Sequence, residues 1–226
     1  MKMLVKSILA SALLVTAIPS FAGLTVGATR VIFTGDMKEA SLPIMNGEDS
    51  SVYLIRSWVS SDNAGEKVPF MTTPPLFRIE PGQNNTVRIN QTSSNLPQDK
   101  ESVFWINTLA IPPEAKVKSE NSLQFSLNTR IKLFYRPVAI NKPDEVKHAY
   151  EKVTFNHAGN SLVAKNPTPY FINISRISIN GHDVKEGYMV APGSTVNIKE
   201  SASSGTITWQ SINDYGGLTE KATAKF

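Results

Sequence analysis

Between Ser122 and Pro137 the chain reads SLQFSLNTRIKLFYRP, and Leu123, Phe125 and Leu127 recur at every second position. In an extended strand these three share one face, with Gln124, Ser126 and Asn128 on the other. The chemistry open to such a comb is non-covalent. A free apolar strand can complete another molecule's sheet, its main chain fixing the register and its side chains filling pockets. Two cations, Arg30 in an early strand and Lys132 just beyond the comb, add a possible grip on an anion. The combination suggests a protein that holds other proteins rather than one that turns over a substrate. Taken singly, a cation in a strand is ordinarily a solvated outward residue. Periodicity alone favours a comb packed into its own sandwich.

Other chemistry finds little support. His148, His157 and His182 are isolated, with no spacing that would put two imidazoles on one metal. There is no GxSxG elbow and no glycine-rich phosphate loop. No catalytic residue, metal site or cofactor is therefore expected. Cysteine is absent, which removes disulfides and thiolate ligands and leaves apolar packing to hold each domain.

The elements that would position the comb begin with an export address. Lys2 and Lys6 precede an apolar run from Ile8 to Ile18, Pro19 breaks it, and Ser20-Phe21-Ala22 offers small residues for cleavage after Ala22. Residues 1–22 read as a signal peptide, and nothing later approaches the roughly 20 apolar residues of a membrane helix, so no stable membrane insertion is expected. Lys2 and Lys6 are two of 23 basic side chains, leaving 21 against 19 acidic ones in the mature chain. They are scattered, with no block that would neutralise a run of phosphates, so nucleic acid is not expected as a partner.

Short alternating runs closed by Gly, Pro, Asn or Asp fill the rest, the pattern of antiparallel strands and turns. Seven candidates precede residue 137: Leu24 to Phe33, Ser41 to Met45, Val52 to Val59, Phe77 to Glu80, Thr86 to Asn90, Val103 to Ile111 and Ser122 to Arg136. A polar step at Asn141 to Glu145 suggests a domain join, and PDEVKHAY one or two helical turns. Seven more runs follow: Val153 to Phe155, Ser161 to Ala164, Tyr170 to Ile179, Tyr188 to Val190, Ser194 to Ile198, Gly205 to Ser211 and Thr219 to Lys225. Asn180-Gly181 is a two-residue hairpin turn. The expected fold is all-β, two sandwiches in series, residues 23–140 and 145–226.

The runs GATRVIF at Gly27 to Phe33, ESVFWINTLAIPP at Glu101 to Pro113, IKLFYRP at Ile131 to Pro137, NPTPYFI at Asn166 to Ile172 and INDYGG at Ile212 to Gly217 span the mature chain. In joint order and spacing they resemble the periplasmic chaperones of the chaperone–usher pilus pathway. The resemblance implies two Ig-like β-sandwich domains in an L shape. It implies a periplasmic location, pilus or fimbrial subunits as partners, and delivery to an outer-membrane usher. It makes Leu123, Phe125 and Leu127 the donor strand lent to a subunit that lacks one, which reverses the inward-packed reading. Arg30 and Lys132 become the grip on the subunit's terminal carboxylate. Glu101, Arg136 and Asp214 become an interdomain ionic cluster, although alone they read as two surface charges and a turn aspartate. Only Pro112 to Asn121 separates the last two strands of the first domain, which resembles the short-loop subgroup and implies rod-like or tip-bearing fimbriae. An exposed lending edge also invites self-association. A different class, a secreted two-domain adhesin or structural subunit of an appendage, would need a strand to give away at its own N-terminus. The first strand follows Gly23 almost at once.

Overall fold

A computed structural model of the chain describes residues 23–48, 51–63, 65–113, 123–158, 161–199 and 204–226. The expected signal peptide and most of the 112–121 connection lie outside them. Up to Arg136 the elements are β1 (Leu24–Val26), β2 (Arg30–Thr34), β3 (Glu39–Asn46), β4 (Tyr53–Ser60), β5 (Phe70–Thr73), β6 (Leu76–Ile79), β7 (Asn84–Gln91), β8 (Ser102–Ile111) and β9 (Leu127–Arg136). They form a sheet ordered β2-β9-β8-β4-β6 facing a sheet ordered β1-β3-β7-β5. The inward side chains of both build one core, centred on Phe33, Phe70, Phe104 and Tyr135, with edge-on ring contacts of 5.2 Å (Phe33–Phe70) and 5.3 Å (Phe70–Phe104).

Two departures from the sequence expectation have local causes. The run from Leu24 to Phe33 is two strands in opposite sheets: β1 pairs antiparallel with β3, and β2 pairs parallel with β9. The chain crosses at Gly27, whose N–H donates to the Pro43 carbonyl at 2.8 Å and where a Cβ would come within 3.1 Å of Pro43. The sequence carries no signal for strand β5, because its four residues lie between Pro69 and Pro74 and are too few to display a period.

After Arg136 a helical turn at Val138–Ile140, helix α1 (Pro143–His148) and a turn at Ala149–Lys152 lead into the second sandwich. Its strands are β10 (Thr154–Ala158), β11 (Ser161–Lys165), β12 (Ile172–Ile179), β13 (His182–Val184), β14 (Tyr188–Val190), β15 (Thr195–Ile198), β16 (Thr206–Ser211) and β17 (Ala222–Lys225). Sheet β10-β11-β15 faces sheet β13-β12-β16-β17, with β14 also on β12. Trp209 and Phe155 centre this core at 4.8 Å, and the indole N–H donates to the Tyr150 carbonyl. Asn180 and Gly181, with φ of 51° and 84°, close the β12–β13 hairpin, as their types suggest.

Candidate functional site

Strand β9 pairs with β8 along its whole length, from Ala110↔Leu127 to Ser102↔Tyr135, whereas β2 covers its other edge only from Arg30↔Lys132 onward. Among the described residues, the outer edge from Leu127 to Ile131 therefore has no strand beside it. Ile131 and Leu133 point into the core, and Leu127 has the same parity. The apolar phase thus continues backward past the point where the sandwich ends. Leu127 is 65% exposed, Phe125 76% and Leu123 79%. Gln124 tethers this extended lead-in by donating to the Pro112 and Pro113 carbonyls at 3.2 and 2.6 Å. Burying three such side chains against a partner would yield about 5–9 kcal/mol before ordering costs.

Arg30 and Lys132 face one another on the first rung of the parallel ladder, where the open edge stops. Both are partly buried and both reach the second domain: Arg30 donates from Nη1 to the Ile212 carbonyl at 3.2 Å, and Lys132 Nζ donates to Asn173 Oδ1. The Trp105 ring, from the other side of β9, lies 5.8 Å from Lys132 Nζ. Burial lowers the Lys132 pKa, and the neighbouring Arg30 charge lowers it further against a weaker pull from Asp62. Burial likewise lowers that of Arg30, with Asp214 opposing. Arg30 Nε is buried with no hydrogen-bond partner among the described residues. Two adjacent cations held by neutral oxygens, one with a spare buried donor, make a site suited to an anion.

The third group forms the junction itself. Arg136, last in β9, donates from Nε to Glu101 at 2.7 Å and from both terminal nitrogens to the two Asp214 oxygens at 2.7 and 2.9 Å. Burial works against the Arg136 charge, but the hydrogen bonds and attraction of Asp214 and Glu101 outweigh it and hold the guanidinium pKa above its ordinary value. Burial pushes the Glu101 carboxyl up, against the pull of Arg136 and of the Phe171 N–H, which donates to it at 2.7 Å. The Glu101 main-chain N–H also donates to Pro169. Asp214 sits in a turn closed by Asn213, whose Oδ1 accepts from the N–H groups of Tyr215 and Gly217. Gly216 in that turn has φ of 84° and lies so close to Thr29 that a Cβ would meet its hydroxyl at 2.3 Å.

Sequence reasoning had no hold on Asn173 or the Ile212 carbonyl, because their partners lie 41 and 182 residues away. It did mark the Asn166–Tyr170 run. Asn166 is fully buried, donates to the carbonyls of Tyr170, Val190 and Ala191 and accepts from Thr168, fixing the loop that meets Glu101. The histidines are dispersed: His148 pairs with Glu151 at 3.1 Å, and the His157 ring lies 5.3 Å from that of Phe226, tilted by 51°. Among the described residues no cluster of three or more metal-ligating side chains occurs, and no helix is long and apolar enough to cross a membrane.

Residues 23–141 match the family of pili and flagellar-assembly chaperones, PapD N-terminal domain, and residues 148–223 that of pili assembly chaperone PapD, C-terminal domain. The chaperone protein FimC of Escherichia coli K12 is 43% identical over 206 residues, covering 89% of this chain and 84% of FimC. The crystal structure of the periplasmic chaperone SfaE superposes with a TM-score of 0.77 at 35% identity, over 89% of this chain and 98% of that one. A Salmonella enterica structure of SafA pilin in complex with the SafB chaperone matches with a TM-score of 0.83 at 28% identity, over 92% of this chain and 99% of that one. With both sandwiches matched in order and nearly end to end, the chain belongs to the family of pilus-assembly chaperones with two Ig-like domains.

Proposed function

We propose that this protein works in the periplasm, where it captures a fimbrial subunit by lending it the open edge of β9 and then passes it to an outer-membrane usher. The observation that carries the reading is the coincidence of two endings. The free edge of β9 stops at the rung where Arg30 and Lys132 stand side by side. A subunit strand laid along Leu127 to Ile131 and ending at those cations runs in the same direction as β9, with its terminal carboxylate on the pair. Each charge-assisted hydrogen bond there is worth about 1.5–3 kcal/mol. The carboxylate sets where pairing begins, and Leu123, Phe125 and Leu127 fill the groove of a subunit that lacks a strand. Glu101, Arg136 and Asp214 hold the angle at which the second domain meets this edge, a geometric role rather than a catalytic one. The periplasmic location rests on the export address at residues 1–22, and the usher on membership of the family.

Co-expression with a fimbrial subunit tests the reading. Wild-type protein should yield a soluble one-to-one complex, lost in Arg30→Ala and in Lys132→Ala while each variant keeps its thermal unfolding transition. Undiminished capture by both variants overturns the assignment of the two cations.

A further inference from the structure

We propose that Asn173 is a positioning residue of the anion site, aiming Lys132 from the second domain while its neutral amide leaves the lysine charge free for a carboxylate. The inference rests on the proposed function and deepens it. Lys132 belongs to the first domain by chain, yet the hydrogen-bond acceptor of its ammonium is the Asn173 side chain on β12. Asn173 is held from behind, since its carbonyl accepts from the Ile212 N–H at 3.0 Å and from the Ser211 hydroxyl at 2.9 Å. Ile212 in turn accepts from Arg30. The contacts close a circuit through Lys132, Asn173, Ile212, Arg30 and the β2–β9 rung, crossing the domain junction twice. Both cations are thus located by oxygens of one second-domain unit, and both of those oxygens are neutral. A carboxylate at position 173 would keep the geometry but occupy the ammonium with an internal counter-ion, and a bound carboxylate would have to displace it.

The charged groups acting on Lys132 are Arg30, which disfavours its proton, and Asp62, which favours it. A new carboxylate at position 173 would add to the second effect. The probe is a synthetic peptide of alternating apolar and polar residues, prepared with a free C-terminal carboxylate and as the amide, titrated against the full mature chain. Wild-type protein should prefer the acid. In Asn173→Asp the acid peptide should weaken by about tenfold or more, the worth of one charge-assisted hydrogen bond, while amide binding is unchanged. The alkaline fall-off of acid binding should also move to higher pH. Asn173→Ala, which removes the acceptor without adding charge, should reduce the preference by about threefold. A merely structural role would weaken acid and amide peptides together and leave the pH profile in place. That result, or a wild-type preference in both variants, overturns the inference. If Lys132→Ala keeps the preference as well, the proposed function fails with it, whereas a loss confined to Lys132→Ala leaves that function standing.

Discussion

Replacing Arg136 by methionine removes three hydrogen bonds at the domain junction and isolates a carboxylate that has almost no access to water. The side chains of Glu101 and Arg136 are 2% and 6% exposed, so solvent screening gives little relief, whereas Asp214, at 32%, can turn to water. Glu101 would retain the Phe171 N–H as its one remaining side-chain hydrogen bond. Breaking a buried pair from one side costs about 3–5 kcal/mol. For a cooperative unit of this size, each kcal/mol is worth roughly 2–4 °C, so Tm at neutral pH should fall by roughly 6–20 °C. Burial already raises the Glu101 pKa, and loss of Arg136 removes the largest opposing pull, so the folded variant takes up a proton that the unfolded chain does not. Stability lost above that raised pKa therefore returns as pH falls through it, until the ordinary value near about 4.3 is reached. Subtracting wild type at each pH cancels the other carboxylates. Thermal unfolding of both proteins at about pH 7.5 and about pH 5 should show a smaller gap in acid. Adding Glu101→Gln should abolish that pH dependence. A neutral-pH penalty below about 1 kcal/mol, or one equal at both pH values, refutes the reasoning.

Two side chains of one strand phase should respond oppositely to the same change. Phe125→Asp alters a ring that is exposed in the free chain and should shift stability by less than about 1 kcal/mol while subunit capture is lost. Ile131→Asp puts a charge into the core and should abolish cooperative thermal unfolding. Equal destabilisation by both would place Phe125 in the protein's own interior. Gly216→Ala strains a left-handed backbone and presses on Thr29, so it should destabilise by about 1–3 kcal/mol in thermal unfolding, and an unchanged Tm would count against the clamped turn.

The alternation of Leu123, Phe125 and Leu127 is legible in the sequence as one strand face, but its continuation into the buried Ile131 and Leu133, and the point at which the face leaves the core, are not. It is set by where β2 begins, and β2 reaches β9 across about a hundred residues of sequence. Gly27 is an ordinary glycine until Pro43 lies against it, which is why β1 and β2 read as one strand. Glu101, Arg136 and Asp214 stand out in the sequence only through motif order, whereas the geometry that joins them depends on the loop fixed by Asn166 and the turn closed by Asn213. The hydrogen-bond partners of Arg30 and Lys132 are a main-chain carbonyl and a buried amide, and neither acceptor has a side-chain pattern that sequence could reveal.

An unpaired edge with exposed apolar side chains is an aggregation hazard, and any self-association through it would compete with the proposed capture. On the proposed reading, the cation pair biases that competition. When two copies of this chain pair through β9, each brings a strand from mid-chain, which has no terminal carboxylate to place on Arg30 and Lys132. Such a pair keeps the strand hydrogen bonds and some apolar burial but forgoes two charge-assisted bonds, about 3–6 kcal/mol. It also leaves two adjacent cations uncompensated. A subunit that ends at the rung satisfies strand, groove and charge at once. The same apolar comb can therefore remain exposed in the free protein and still favour a chain end over another copy of itself. Capture should consequently displace any self-associated form, and sedimentation of the protein with increasing subunit should read that exchange directly.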